Sequence, residues 1–230
     1  MRNVLEAAKS ANARVVFVDN LYMHGPQTAP LVETMALTSF GVKPAVRADI
    51  TRLWRSASQA GAVRFAALRA PDFYGPGVGN SQLGDAAFGA LAKGRAATFA
   101  VSPDMPHDLA YVPDLGRAVV TLLDAPDDCF GQAWNAPCAP TRNLREIFTL
   151  GAVALGVAPK LRVLPAWSLA PLSLFVPILG ELREMSFQWD RPYLVDASKF
   201  SKRFWSDATP FETGAPATAL SFKRLAAKAA

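Results

Sequence analysis

The sequence predicts an α/β protein with a parallel sheet and a smaller, mainly C-terminal lobe, and three observations carry that expectation. Val15 to Val18 is a short apolar, largely β-branched run that stops abruptly at Asp19 and Asn20, and Val63 to Leu68 is a second such run that ends at Arg69. Short, mainly apolar runs of this kind, the second interrupted only by Arg64, read as strands buried on both faces, as in a parallel sheet. Helical periodicity separates and follows the two runs, giving the strand–helix–strand alternation of α/β proteins.

Composition narrows the functional classes. With 230 residues, 51% hydrophobic and 19% charged, the chain has enough apolar material for one large core or a core plus a smaller lobe. The net charge of +5 is scattered, with no run of five or six basic residues, so a mildly basic solvated surface is expected and no nucleic-acid partner. The two cysteines, Cys129 and Cys138, form no CxxC pattern. That argues against a metal site and for a reduced compartment, with the cytoplasm as the expected location. No secretory signal is legible, because Glu6 and Lys9 interrupt the first apolar residues. The uncharged stretch from Val163 to Gly180 approaches the length of a membrane span, but Pro165, Pro171 and Pro177 break it, so a buried, broken helical lobe is expected and no membrane partner.

In chain order, residues 2–12 read as a helix with Val4, Ala8 and Ala11 on one face, leading into the first strand. Ligands gather at the carboxyl ends of such strands, which makes Asp19, Asn20, Tyr22 and His24 the first functional candidates. Residues 27–37 read as loop. Pro44 suits a helix start, and Val46, Ile50, Leu53 and Ala57 recur at helical spacing up to a stop by Gly61. After the second strand, the prolines and glycines of Arg69 to Gly77 should carry the chain out of the sheet. Gly75, Gly77 and Gly79 have the wrong spacing for a dinucleotide fingerprint, so this segment reads as a loop closing over a substrate.

A helix is expected from Asn80, carrying Leu83, Ala87 and Leu91 and ending at Gly94, followed by a short strand over 96–101. Asp108 to Asp114 should lead into a helix with Leu115, Val119 and Leu122 on one side, and Gly131 to Asn135 reads as a strand. Asn143 and Glu146 form a capping-box pattern ahead of Leu144, Ile147, Phe148 and Leu155. Trp134 and Trp205 read as packing residues. Near the end, Asp196 precedes a short helical stretch at Ser198, Lys199 and Phe200, and Ala226 to Ala230 reads as a fraying end.

Taken in order, Tyr22-Met-His-Gly-Pro26, Arg69-Ala-Pro-Asp-Phe-Tyr-Gly-Pro-Gly77, Leu109-Ala-Tyr-Val-Pro-Asp114 and Gly131 to Asn135 resemble the extended short-chain dehydrogenase/reductase family. That family includes the NAD-dependent epimerase/dehydratases acting on nucleotide sugars. The resemblance covers most of residues 1–210 but only the latter part of the family's pattern. It implies a Rossmann-like parallel sheet whose N-terminal strands and glycine-rich turn are missing, hence a truncated chain. It also implies a partial NAD(P)-binding domain over 1–125, with a substrate loop at 70–95, and a substrate lobe over 126–230 intertwined with it. NAD or NADP is the implied cofactor, with weak or no binding expected for this chain alone. The implied partners are a small-molecule substrate and a second copy, through helices 2–12 and 44–60.

The resemblance also carries catalytic positions. His24-Gly25 stands where the family has an aromatic-Gly pair, which puts Asn20 at the position of a substrate-orienting Ser or Thr. Asparagine can hydrogen-bond a hydroxyl or carbonyl but cannot relay a proton as a hydroxyl does. The family's Tyr-x-x-x-Lys falls near Ser39-Phe-Gly-Val-Lys-Pro44. Aligned on the glycine, Phe40 takes the tyrosine position and Pro44 the lysine position; aligned on Lys43, Ser39 takes the tyrosine position. The usual phenolic base is absent under either alignment.

The candidates are therefore Asn20, His24 and Lys43 for catalysis, Asp19, Asn20, Lys43 and Pro71 for the cofactor, and Tyr22, Asp72 and Tyr74 for the substrate, with no metal ligands. Each has a plainer reading: His24 as a surface histidine, Tyr22 as a packed aromatic, Lys43 as a solvated helix-start lysine, Asp72 as a turn former. Two functions follow. One is an NAD(P)-dependent epimerase/dehydratase-like or reductase-like protein acting on a nucleotide sugar or another secondary alcohol or ketone. The other is a non-catalytic pseudoenzyme or binding module in which Arg69, Pro71 and Tyr74 shape a pocket without turnover.

Overall fold

The structure, a computed structural model, describes residues 1–164 and 184–228. Most of the Val163 to Gly180 run, and the broken lobe expected there, lies outside the described residues. The first half comprises α1 (Arg2–Ser10), β1 (Arg14–Asp19), α2 (Lys43–Gln59), β2 (Arg64–Arg69), β3 (Asp72–Tyr74), α3 (Ala90–Ala92), β4 (Ala97–Phe99), β5 (Pro106–His107) and β6 (Leu109–Tyr111). Then come α4 (Val112–Leu123), β7 (Ala133–Asn135), β8 (Arg142–Asn143), α5 (Leu144–Leu155), β9 (Leu161–Val163), α6 (Ser198–Arg203) and α7 (Phe211–Lys228). No helix among the described residues is long and apolar enough to cross a membrane.

The chain divides into two compact units. Residues 1–71, 113–137 and 195–207 form the first, so position 125 falls inside one of its stretches; residues 72–112, 138–194 and 208–230 form the second. In the first unit β1, β2 and β7 make a parallel sheet in that order, with Val15 beside Phe65, Phe17 beside Ala67 and Ala67 beside Ala133. Side chains alternate across a pleat, so these odd-numbered residues share one face. There they meet Leu5 and Ala8 of α1 and Trp54 of α2, whose ring stacks on Phe65 at 5.2 Å.

Burial corrects three sequence-based expectations in this unit. β2 is the two-sided strand, whereas β1 is half-buried, with Val18 44% exposed; it pairs with β2 and has no other strand neighbour among the described residues. In α1 the buried residues are Leu5 and Ala8, while Val4 and Ala11 are exposed. In α2 the fully buried residues are Pro44, Ala48, Thr51 and Trp54, while Val46 is exposed. The stack of Trp54 on Phe65 sets the rotation of α2, and the small Ala48 and Thr51 are buried with it. Ile50, Leu53 and Ala57 flank that contact.

In the second unit, the chain leaving β2 does exit the first sheet, but Asp72–Tyr74 then forms a strand rather than a loop, pairing in parallel with β6. β4 pairs with β9, and β5 with β8. The core gathers Tyr74, Phe88, Phe99, Ile147, Phe148, Phe211 and Phe222. The helix expected from Asn80 is instead a π-helical turn over Gly84–Gly89 running into α3, with Leu83, Ala87 and Leu91 buried as expected. Gly84 sits against the Gly79 backbone, where an added Cβ would overlap the Gly79 carbonyl. The Asn143–Glu146 capping box is present, with Glu146 N–H donating to Asn143 Oδ1 at 2.9 Å. α7 runs to Lys228.

Candidate active site

The three strands of the first sheet end in one polar row. Asp19 is paired in register with Arg69, and Arg69 with Asn135. All three are odd-numbered positions on the α1/α2 face, and all are buried. Apolar strand bodies hold them there, and the loop after β1 covers them.

Each member of the row binds that loop or a helix. Asp19 Oδ1 lies 3.2 Å from Arg47 Nη1 of α2. Burial raises the Asp19 pKa above its usual value, opposed by Arg47, the Asn20 N–H and Arg69. Arg69 Nη1 reaches His24 Nε2 at 3.2 Å and donates to the Glu33 carbonyl at 3.3 Å. Its pKa falls to about 10 through burial and the nearby Arg55, against the pull of Asp19 and Glu33. Asn135 donates its backbone N–H to the Glu33 carboxylate at 2.8 Å and donates from Nδ2 to the carbonyls of Leu31 at 2.9 Å and Asp196 at 3.0 Å.

His24 is neither on the surface nor open to solvent: it is 1% exposed, in the 3-10 turn Tyr22–His24. Its Nδ1 lies 3.1 Å from the Ala36 carbonyl, which can only accept, so Nδ1 carries the proton. Nε2 is then the acceptor for Arg69, whose guanidinium can only donate. Burial above all, with Arg69 and Arg55 adding to it against the Ala36 bond, lowers the His24 pKa to about 4. At neutral pH the ring is uncharged and both nitrogens are engaged.

The remaining candidates separate. Asn20 is half-exposed and its Oδ1 closes a turn by accepting Tyr22 N–H at 3.0 Å. Tyr22 and Lys43 are half-buried, and Pro71 is buried. Phe40, at the tyrosine position of the family pattern, is 46% exposed. Asp72 and Tyr74 belong to the second unit. Tyr74 is a core residue between Tyr111 and Phe211, with ring centroids at 5.2 and 5.6 Å. Asp72 Oδ2 accepts Trp189 Nε1–H at 3.0 Å and lies 3.3 Å from Nε2 of buried His107, whose ring stacks with those of Trp189 and Tyr193.

Sequence reasoning singled out neither Glu33, Asn135 nor His107 for the site, and it gave Arg69 only a pocket-shaping role. Arg69 and Asn135 do sit at predicted strand ends, the signal that could have found them. Among the described residues no group of three or more His, Cys, Asp or Glu side chains is placed to hold a metal ion.

Comparison with known proteins agrees with this architecture. No curated protein sequence matches the chain. Among solved structures, dTDP-glucose 4,6-dehydratase from Bacillus anthracis, in complex with NAD, is 16% identical with a TM-score of 0.75, over 96% of this chain and 65% of that one. UDP-glucuronic acid 4-epimerase from Bacillus cereus, in complex with NAD, is 14% identical with a TM-score of 0.77, over 97% and 64%. UDP-N-acetylglucosamine 4-epimerase from Methanobrevibacter ruminantium, in complex with UDP-N-acetylmuramic acid, is 16% identical with a TM-score of 0.77, over 97% and 67%. The chain thus spans about 65% of the first of these structures and shares its Rossmann-type α/β fold. The model of the NAD dependent epimerase/dehydratase family matches residues 1–136, more than half of the sequence, and the chain belongs to that family.

Proposed function

We propose that this chain handles the substrate side of an NAD(P)-dependent epimerase/dehydratase-like or reductase-like reaction on a nucleotide sugar or another secondary alcohol or ketone. The observation that supports this reading is the polar carboxyl end of β1, where Asp19, Asn20 and Tyr22 follow one another at the place where α/β sheets bind ligands. Asn20 uses its carbonyl in the local turn, which leaves its amide N–H groups to orient a substrate oxygen. Lys43 and Tyr22 are the other ligand contacts in this unit. In the second unit Asp72 is the substrate contact, with Oδ2 fixed by Trp189 and the carboxylate partly open to solvent.

The described residues do not fit the pyrophosphate of NAD. Among the described glycines only Gly41 stands just ahead of a full helix, α2, and Pro44 removes a backbone N–H from that terminus. Asp19 is turned inward onto Arg47. Weak or undetectable dinucleotide binding is expected of this chain alone.

A specific observation favours a second reading, a non-catalytic relative that binds without turnover. Phe40 has no proton to exchange, and His24 has neither ring nitrogen free. We also place the protein in the cytoplasm, in line with its having two cysteines and no CxxC pattern, and propose self-association through α1 and α2, where Val4 and Val46 are exposed. Calorimetry with UDP-glucose and with each dinucleotide, followed by absorbance of the nicotinamide during incubation with both, separates the readings. Sugar-dependent reduction or oxidation of the nicotinamide supports the first. UDP-glucose binding without turnover supports the second. Binding of neither ligand would sink both, and micromolar dinucleotide affinity would contradict the weak binding expected here.

A further inference from the structure

Arg69 is fully buried in the middle of the polar row, and its guanidinium is used unevenly. The Nη1 end makes two hydrogen bonds, to His24 Nε2 and the Glu33 carbonyl, while Nε and Nη2 have no hydrogen-bond partner among the described residues. A buried guanidinium without a full set of acceptors is costly, so its place in the fold calls for a return elsewhere. The two groups it does hold lie at the start and the middle of one loop. His24 ends the turn after β1, and its other nitrogen binds Ala36 further along the same loop. Around this ring the backbone closes as well: Gly25 N–H donates to Tyr22 O at 2.9 Å and Thr38 N–H to Met23 O at 2.7 Å. Gly25 has a φ of +64° and lies against Thr38, so the loop tolerates neither a side chain at Gly25 nor a shift of Thr38 there.

We infer that Arg69 is a positioning residue: from the end of β2 it holds His24 as the neutral Nδ1–H tautomer and, through that ring and the Glu33 carbonyl, fixes the loop that carries Asn20 and Tyr22. Two features separate this from a simple structural arginine. A lysine would bring the charge and enough donors, but on a flexible tetrahedral head rather than in the fixed plane of the guanidinium. The ring it contacts is oriented by opposite requirements at its two nitrogens, a donor toward Ala36 and an acceptor toward Arg69, which only one tautomer meets. The inference does not depend on turnover, because its readouts are properties of His24 and the loop.

The test is nitrogen NMR of the histidine rings in the full chain. There are two histidines, and the signals lost in His24→Gln identify His24. The wild-type protein should show a neutral, Nδ1-protonated His24 at neutral pH. Arg69→Met should move the His24 titration upward, toward the ordinary value near 6.5, and populate the other tautomer, with Arg69→Lys falling between. In His24→Gln, the amides of Gly25 and Thr38 should exchange about tenfold faster, the equivalent of roughly one net hydrogen bond. An Nε2-protonated ring in the wild type would overturn the inference, as would a folded Arg69→Met with unchanged His24 signals. Should neither Arg69 variant fold, the wild-type tautomer and the exchange rates still decide.

Discussion

Glu33 Oε1 accepts the backbone N–H of Asn135 at 2.8 Å, joining a loop residue to a strand end 102 positions away. The Asn135 side chain extends the junction to the carbonyls of Leu31 and Asp196. Three separate stretches of the first unit therefore meet at one amide.

Asn135→Ala should for that reason cost more than an ordinary polar truncation. It removes two hydrogen bonds at once and leaves the Leu31 carbonyl with only the Asp196 N–H at 3.0 Å, and the loss should be about 1 to 3 kcal/mol. Urea unfolding measures it; a change under about 0.5 kcal/mol, the scale of an exposed substitution, would contradict the junction's importance.

Acid should weaken the first unit through His24. Its folded pKa of about 4 lies below the ordinary 6.5, so between those values the unfolded chain binds more protons than the folded one. The His24 contribution is complete above about pH 6.5 and is lost as pH falls toward 4, with an upper limit of about 3 kcal/mol. Asp19 acts in the opposite sense: its raised pKa means that stability is lost as pH rises through the folded value. Arg69, Arg55, Glu33 and Arg47 are the charged neighbours of the pair. Comparing wild type with His24→Gln across pH 4 to 7 isolates the His24 part; parallel curves would refute it.

Gly151→Ala should destabilise the second unit. An added Cβ would overlap the ring of Phe88, which stacks on Phe148 at 5.6 Å, and would stand 3.1 Å from Ala219 Cβ on α7. Neither neighbour can yield within a filled core, so a loss of about 1 to 3 kcal/mol is expected in chemical denaturation. Gly116→Ala is the control, since nothing among the described residues lies near its added Cβ.

The half-covered β1 should make the isolated chain prone to self-association. Val18 is 44% exposed on a strand with one neighbour among the described residues. Val18→Lys adds the charge that blunts strand edges, so sedimentation should show less oligomer with little change in Tm. An unchanged distribution would assign the association to another surface.

Much of this fold was legible in the sequence because local signals and tertiary packing agree. The apolar runs, the Gly94 stop and the Asn143–Glu146 cap each fall where expected. The misjudged face of α2 has a simple cause: periodicity favours large aliphatic residues, whereas the fully buried side is Trp54 with the small Ala48 and Thr51. The site divides similarly. Asp19 and Asn20 are marked by the strand they terminate, but the partnership of Glu33 with Asn135 has no trace in spacing, because sequence distance carries no information about which loop returns to which strand. His24 was visible as a titratable side chain; that both its nitrogens are occupied depends on Ala36 and Arg69, which only the fold brings to it.

The interleaving of the two units limits how this chain can be dissected. Each unit draws on three stretches separated by parts of the other, so no single cleavage or terminal deletion yields either one whole. Deletion mapping would report losses at almost every breakpoint without locating a function. Exchanging the second unit with that of a relative would require grafting several spliced segments at once.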